Sequence, residues 1–203
     1  MALSLVGQKI LFIMIHKILK DRWSPYSFSN EPVDKAKLDS LFEAAGLAPS
    51  SNNEQPWLFI HATREETELF NIFVGFLVED NRIWAKNSYA IAISLVRLNS
   101  SYNGKLNNYA FHDTGMAVSN LLAQATSLGI FVHQMVGYSV VKVRDYFKLR
   151  EDIAPIAIMA IGYRGVGEDI STELYVRDEK RRRRKPVSEY SFRNALPEKY
   201  VNP

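Results

Sequence analysis

Two uninterrupted apolar runs, residues 89–96 (YAIAISLV) and 154–162 (APIAIMAIG), constrain the fold of this chain most. Each has the length of a strand but lacks the alternation of a half-exposed one, so each is expected to be a strand buried on both faces. A sheet covered on both sides needs helices over it, and the remaining sequence supplies them. Asp34 caps a helix whose apolar face is Leu38, Leu41, Phe42 and Ala45, and Gly46 and Pro49 stop it. Thr63 and Glu66 have the spacing of a capping box ahead of Leu69, Phe70, Phe73 and Leu77. Residues 113–128 read as a longer helix that Gly129 closes in the left-handed conformation, and residues 140–147 as a short one. Shorter strands are expected at residues 57–62 and 131–136. Two helices ahead of the first strand do not fit the βαβα series of a doubly wound fold, so the class is α+β, a sheet flanked by helices.

The length of 203 residues suits one domain, and neither a repeat nor a low-complexity linker divides the chain. Cysteine is absent, which excludes disulfides, thiolate nucleophiles and Cys-ligated zinc and fits a reducing cytoplasm. His16, His61, His112 and His133 are widely separated, and no H-x-x-x-H pattern points to a metal site. The net charge of +3 is mild and suits an anionic cofactor or substrate; the excess sits in residues 180–185 (KRRRRK). Residues 8–21 read as a helix ended by Ser24-Pro25. Its apolar stretch, residues 10–15, is too short to span a membrane and lacks the flanks of a signal peptide. The helix is apolar almost all round, which suits burial between subunits, with a membrane-surface helix as the alternative. Beyond Gly165 the chain is charged and poorly periodic and reads as an extended arm rather than core.

Three segments invite a chemical reading. Gly165-Val166-Gly167 follows a strand but lacks the third glycine of a dinucleotide loop, and Glu168 and Asp169 stand where a pyrophosphate needs donors; a plain turn is expected. Residues 181–185 are a solvated basic run, a nucleic-acid patch without an accompanying fold motif, or a source of arginine forks for a phosphate. Residues 48–57 (APSSNNEQPW) set Ser50, Ser51, Asn52, Asn53 and Gln55 between Pro49 and Pro56. Such a density of paired donors and acceptors suits the edge of a flat heterocycle, although on composition alone a turn-rich loop is the simpler reading.

Residues 48–59 resemble the A-P-S-S-x-N-E-Q-P-W-x-F signature of the nitroreductase family, flavin-dependent NAD(P)H oxidoreductases. Further stretches match in the same order: Arg22-Trp23-Ser24-Pro25, similar to an R-x-S-x-[R/K] motif; Trp84-Ala85-Lys86-Asn87 ahead of the strand; His112-Asp113-x-Gly115-x-Ala117-x-x-Asn120-Leu121-Leu122 with Gly129 after it; and Arg184-Lys185-Pro186, similar to an R-x-P element. The resemblance covers about residues 16–192. It implies a mixed, mainly antiparallel sheet flanked by helices in an intertwined homodimer, with FMN at the subunit interface. The N-terminal helix and a C-terminal arm, about residues 166–203, would pack on the partner.

By the same resemblance Arg22 and Ser24 would lie by the FMN phosphate and ribityl chain, with Arg184 and Arg182 neutralising the phosphate, and Trp23 and Tyr26 would also contact the cofactor. Pro49, Ser50, Ser51, Asn53 and Gln55 would reach the flavin from the other subunit, and Gln134, Met135, Val136 and Gly137 would run along the isoalloxazine. Tyr26 is a departure, because the family commonly has Arg or Lys there, near flavin N1 and O2; Arg82 or Lys86 are the candidates to replace that charge. The implied activity is ping-pong hydride transfer from NAD(P)H through FMN to a nitroaromatic or quinone, without a protein general acid or base. Tyr102, Tyr109, Phe111 and Phe76 are candidates for the substrate face, though aromatics in such positions are more often core. Alternatives on the same fold are a flavin-binding or sensor protein, a dehydrogenase, a flavin-cannibalising enzyme or a dehalogenase. Neither nucleic acid nor membrane is expected as a partner.

Overall fold

A computed structural model describes residues 15–180 and 182–201. Residues 8–14, the first half of the expected N-terminal helix, and Arg181 lie outside the described residues. The two apolar runs form the centre of a four-stranded sheet. Its strands are β1 (Trp57–Thr63), β2 (Ala90–Arg97), β3 (Phe131–Met135) and β4 (Ile153–Gly162), in the order β1-β2-β4-β3. All three pairings are antiparallel, where a mixed sheet was expected. Pro155 has no N–H to offer β2, and the register shifts between Ser94 and Leu95 opposite it, as a bulge does around a missing donor.

Side chains alternate between two cores, as the pleat requires. Ile91, Ile93 and Leu95 of β2, with Ile158 and Ala160 of β4 and Met135 of β3, face α3 (Thr67–Phe76), α4 (Glu79–Ala85) and α6 (Val140–Phe147). Ala90 and Ala92, with Met159, Ile161 and Val132, face α2 (Lys35–Gly46) and α5 (Ala110–Ser127). Helices therefore cover both faces, which is why β2 and β4 read as continuous apolar runs although they pair antiparallel. Each helix on the α3 side anchors large rings, Phe73 and Trp84 above all, both fully buried.

Several boundaries differ from the sequence reading for local reasons. The Glu66 carboxylate does accept from the Thr63 N–H at 2.9 Å, but α3 begins only at Thr67. The Arg64 N–H continues the sheet ladder to the Tyr89 carbonyl, and its guanidinium donates to the carbonyls of Asn87 and Ser88, which keeps residues 63–66 out of the helix. Helix α5 starts at Ala110, three residues ahead of the expected start at Asp113. Helix α4 was not expected. The C-terminal part departs most: residues expected as an irregular arm contain α7 (Thr172–Glu179), which buries Leu174 and Asp178 against its own chain. Where a helix over residues 8–21 was expected, the described residues hold a short helix α1 (Lys17–Asp21) that begins at its cap His16, whose side chain accepts from the Ile18 N–H. Among the described residues no helix is long and apolar enough to cross a membrane, and no cluster of three metal-ligating side chains occurs.

His61 lies on β1 against α2, its ring 4.5 Å from that of Phe42, and neither ring nitrogen has a hydrogen-bond partner among the described residues. Burial pushes its pKa down, against the pull of Glu66 and Asp39, while Lys35 adds to the lowering. The unfolded chain therefore binds this proton first as pH falls, so stability declines below the ordinary imidazole value of about 6.5 until the folded group itself titrates. His61→Leu is expected to flatten that decline. Urea midpoints measured at pH 7.5 and 5.5 should fall more for the wild type than for His61→Leu; equal falls would place the pH dependence elsewhere.

Candidate functional site

The segment 22–28 joins α1 to the body of the fold without regular structure. Pro25 lacks an N–H and holds Ser24 away from helical geometry, so the remaining backbone donors need partners outside the segment. They find them in the region of α7. Asp178 Oδ1 accepts from Trp23 Nε1 at 3.2 Å and from the Tyr26 N–H at 3.1 Å, while Oδ2 accepts from the Ser27 N–H at 3.2 Å. Asp169 accepts from the Ser27 hydroxyl and from the Phe28 N–H. Gly167 N–H donates to Ser27 Oγ at 3.0 Å, and Gly165 N–H to the Ser27 carbonyl at 3.0 Å. A Cβ on Gly165 would stand 2.3 Å from Ser27 Oγ, and one on Gly167, whose φ is +91°, 2.2 Å from the Tyr175 ring. The Gly-Val-Gly string is thus a close-approach turn, the bland reading of that motif.

Docked in this way, the segment forms one wall of a cleft of about 540 Å³. Arg22, Trp23, Ser24 and Tyr26 come from the segment, His133 from edge strand β3, Val176 and Arg177 from α7, and Lys180, Arg182 and Arg184 from the chain after it. Arg22 Nη1 donates to Ser24 Oγ at 3.1 Å. The inner wall is aromatic: Tyr26 stands edge-on to Trp84 at 5.1 Å and to His133 at 4.8 Å. His133 Nδ1 lies 2.7 Å from the Pro25 carbonyl, which only accepts, so that nitrogen carries the proton. Burial pushes the His133 pKa down, which keeps the ring neutral near pH 7. Arg177 donates to the Tyr26 hydroxyl at 2.8 Å and lies 4.9 Å from its ring centroid. The cation beside Tyr26 is thus Arg177; Arg82 is paired with Glu79. Among the described residues that line the cleft, five carry a cationic side chain and none a carboxylate. Among the described residues Lys180, Arg182 and Arg184 have no ion-pair partner. Such a surface attracts a phosphorylated ligand with a flat ring system.

The sequence-expected residues thus divide. Arg22, Trp23, Ser24, Tyr26, Arg182 and Arg184 converge on this cleft, while Pro49, Ser50, Ser51, Asn53 and Gln55 do not line it. Their loop forms a single 3₁₀ turn, Ser51–Asn53, and Asn52, Asn53 and Gln55 all have left-handed φ, at 51°, 56° and 45°. Part of its amide content therefore answers to backbone geometry, which Asn tolerates better than most residues. Ser51 N–H donates to buried Asp113 at 2.9 Å, and Gln55 N–H to Ser50 Oγ at 3.0 Å. Gln134 faces a second, smaller cleft of about 180 Å³ with Phe111, Val118 and Leu122. Met135 is core, Val136 is 82% exposed, and the Gly137 carbonyl accepts from Val78 N–H and Asn81 Nδ2. Phe76 is core, whereas Tyr102, Tyr109 and Phe111 are exposed. His133, Arg177, Asp178 and Lys180 were missed; only Leu174 marks α7 as amphipathic, a weak signal over eight residues.

Comparison with known proteins bears on the family and the fold. Residues 19–95 match the family model described as Nitroreductase family. A solved structure described as an oxidoreductase containing FMN superposes with a TM-score of 0.85 at 28% identity, covering 97% of this chain and 99% of that one. A protein of Archaeoglobus fulgidus provisionally named NADH dehydrogenase/NAD(P)H nitroreductase is 26% identical over 72% of this chain and 83% of its own length. YfhC of Bacillus subtilis, provisionally named an NAD(P)H nitroreductase, is 25% identical over 81% of this chain and 92% of its own.

Glu54 ties the 48–57 loop to the chain after β2. Its carboxylate accepts from the hydroxyl of Ser100, and from the N–H and hydroxyl of Ser101 at 2.8 Å each, with Arg97 at 3.3 Å. These hydrogen bonds, led by that from the Ser100 hydroxyl, lower its pKa to about 2. A carboxylate lowered in the fold contributes stability above its unfolded value, and loses it as pH falls through the folded one. Glu54→Gln is therefore expected to lower the denaturation midpoint at pH 7, with the gap to wild type closing between about pH 4.5 and pH 2. A gap independent of pH would refute the tether.

Proposed function

We propose that this chain, which has the nitroreductase fold and resembles that family along most of its length, is an FMN-dependent NAD(P)H oxidoreductase acting as a homodimer. One observation carries the reading: a cleft that draws Arg22 and Ser24 from one end of the chain and Arg182 and Arg184 from the other onto an aromatic wall. The residues fit FMN. A lining rich in guanidinium groups suits a phosphate, the Ser24 hydroxyl suits a polyol, and the volume lies within the span of about 300–1,000 Å³ usual for cofactor pockets.

FMN held by these residues would supply redox chemistry between NAD(P)H and an oxidised substrate of the nitroaromatic or quinone class, in the ping-pong order that the family resemblance implies. The chain's own groups bind and orient. Arg22, Lys180, Arg182 and Arg184 supply positive potential at the open end, and Arg184 with Arg182 holds the phosphate. Trp23, Tyr26 and neutral His133 provide flat walls that keep water from the inner end. The Arg177 guanidinium restores at Tyr26 a charge that the phenol alone lacks, which favours turnover over a silent flavin-binding or sensor protein. The loop at residues 50–55, absent from its own cleft, serves the cleft of a second copy, with Gln134–Gly137 alongside. Exposed Tyr109 and Phe111, at 60% and 57%, beside that loop's Asp113 anchor offer apolar surface for such a partner. The C-terminal residues beyond Arg184 embrace the partner in this reading, and the setting is cytoplasmic.

Purified protein is expected to be yellow, absorbing near about 450 nm, or to become so with added FMN. Anaerobic NADH or NADPH is expected to bleach it, and a panel of nitroaromatics and quinones to restore the colour. Protein that ignores FMN would sink the reading, and bound flavin that neither nucleotide bleaches would favour a binding protein. Arg184→Ala is expected to raise the Kd for FMN about tenfold, with Arg193→Ala, outside the cleft, near wild type. Equal effects would refute the phosphate assignment, and a monomer in solution the shared site.

A further inference from the structure

Asp178 grips three residues of the segment 23–27 from beneath the basic cleft, and it does not line the cleft itself. It is 4% exposed and accepts from one indole N–H and two backbone N–H groups at once. On charge alone its place is adverse, since a buried negative charge near a site for anions weakens their attraction. Its geometry argues the other way. Without an acceptor, the N–H of Ser27 would be buried and unpaired and that of Tyr26 partly so, and the segment after Ser24-Pro25 has no regular structure to hold it. The next residue along, Arg177, grips the same segment by the Tyr26 hydroxyl.

We propose that Asp178 is a positioning residue of the cleft: by holding Trp23, Tyr26 and Ser27, it sets the segment in the one conformation that presents Arg22, Ser24 and Tyr26 together to a phosphorylated flavin. Helix α7 is then a clamp on the binding segment, with Asp178 beneath the backbone and Arg177 over the ring. This inference rests on the flavin reading of the cleft.

The two effects of Asp178→Asn have opposite signs, which makes the test decisive. Removing the charge alone tightens anion binding, whereas exchanging one of the two acceptor oxygens for an NH2 group sets a donor against a donor of the segment and loosens it. The apoprotein of wild type, Asp178→Asn and Asp178→Glu is titrated with FMN by flavin fluorescence, after circular dichroism and thermal unfolding establish the folded fraction. The Kd of Asp178→Asn is expected to rise about tenfold or more, with Asp178→Glu recovering part of the loss, and the visible circular dichroism of the bound flavin to change shape. An unchanged or tighter Kd in folded Asp178→Asn would overturn the proposal. Should that variant fail to fold, amide exchange in the wild type decides: Tyr26 and Ser27, though outside regular structure, are expected to be protected, and exchange as fast as that of the exposed residues 182–185 would overturn the clamp. Wild-type protein that does not bind FMN would refute the flavin reading, and the exchange measurement would still decide the clamp.

Discussion

The architecture around the cleft depends on two hydrogen-bond acceptors, the buried carboxylate of Asp178 and the exposed one of Asp169. Each takes N–H groups from a segment that cannot satisfy them itself, because Pro25 interrupts it and strands and helices lie only to either side. A buried carboxylate is costly unless several donors converge on it, and a buried N–H is costly unless it finds an acceptor. Here the two requirements meet, and the partners are about 150 residues apart in sequence. Arg22, Ser24 and Tyr26 owe their shared direction to this docking.

The sheet supplies the rest of the placement. Strands β2 and β4 are buried on both faces and fix the centre, which leaves β3 at one edge, paired only to β4. His133 on that edge projects to the same side as the buried Trp84, and the two rings lie 4.5 Å apart. Tyr26 rests on both, so the aromatic end of the cleft is an outgrowth of the core beneath it. The cationic end has no such backing: Lys180, Arg182 and Arg184 follow α7 on exposed chain. A stiff inner wall and an adjustable charged mouth suit a ligand with a rigid ring and a flexible phosphorylated tail.

What was legible in the sequence was whatever local signals determine. The runs at β2 and β4, the Asp34 cap of α2 and the limits of α6 needed no distant partner to be read. The segment Thr63–Thr67 misled because Arg64 answers to the sheet and to two carbonyls 23 and 24 residues away. Helix α7 stayed hidden because it spends a buried position on an aspartate, which in a sequence looks like solvent-facing charge. The same concealment covers Arg177 and Asp178, whose purpose exists only once residues 23–27 lie against them. The loop at residues 48–57 was over-read in one respect, since left-handed backbone at Asn52 and Asn53 accounts for some of its amides before any ligand does. Arg22, Ser24, Tyr26 and Arg184 were within reach through family resemblance alone.

The long reach of Asp178 also sets an order of events. A contact spanning three quarters of the chain closes late in folding, since its loop-closure cost must be met before the contact returns anything. During synthesis the sheet residues and the signature loop emerge well before α7, yet residues 22–28 remain without their acceptors until Asp178 has left the ribosome. The cleft is therefore among the last parts of the molecule to form, and a nascent or C-terminally shortened chain does not have it.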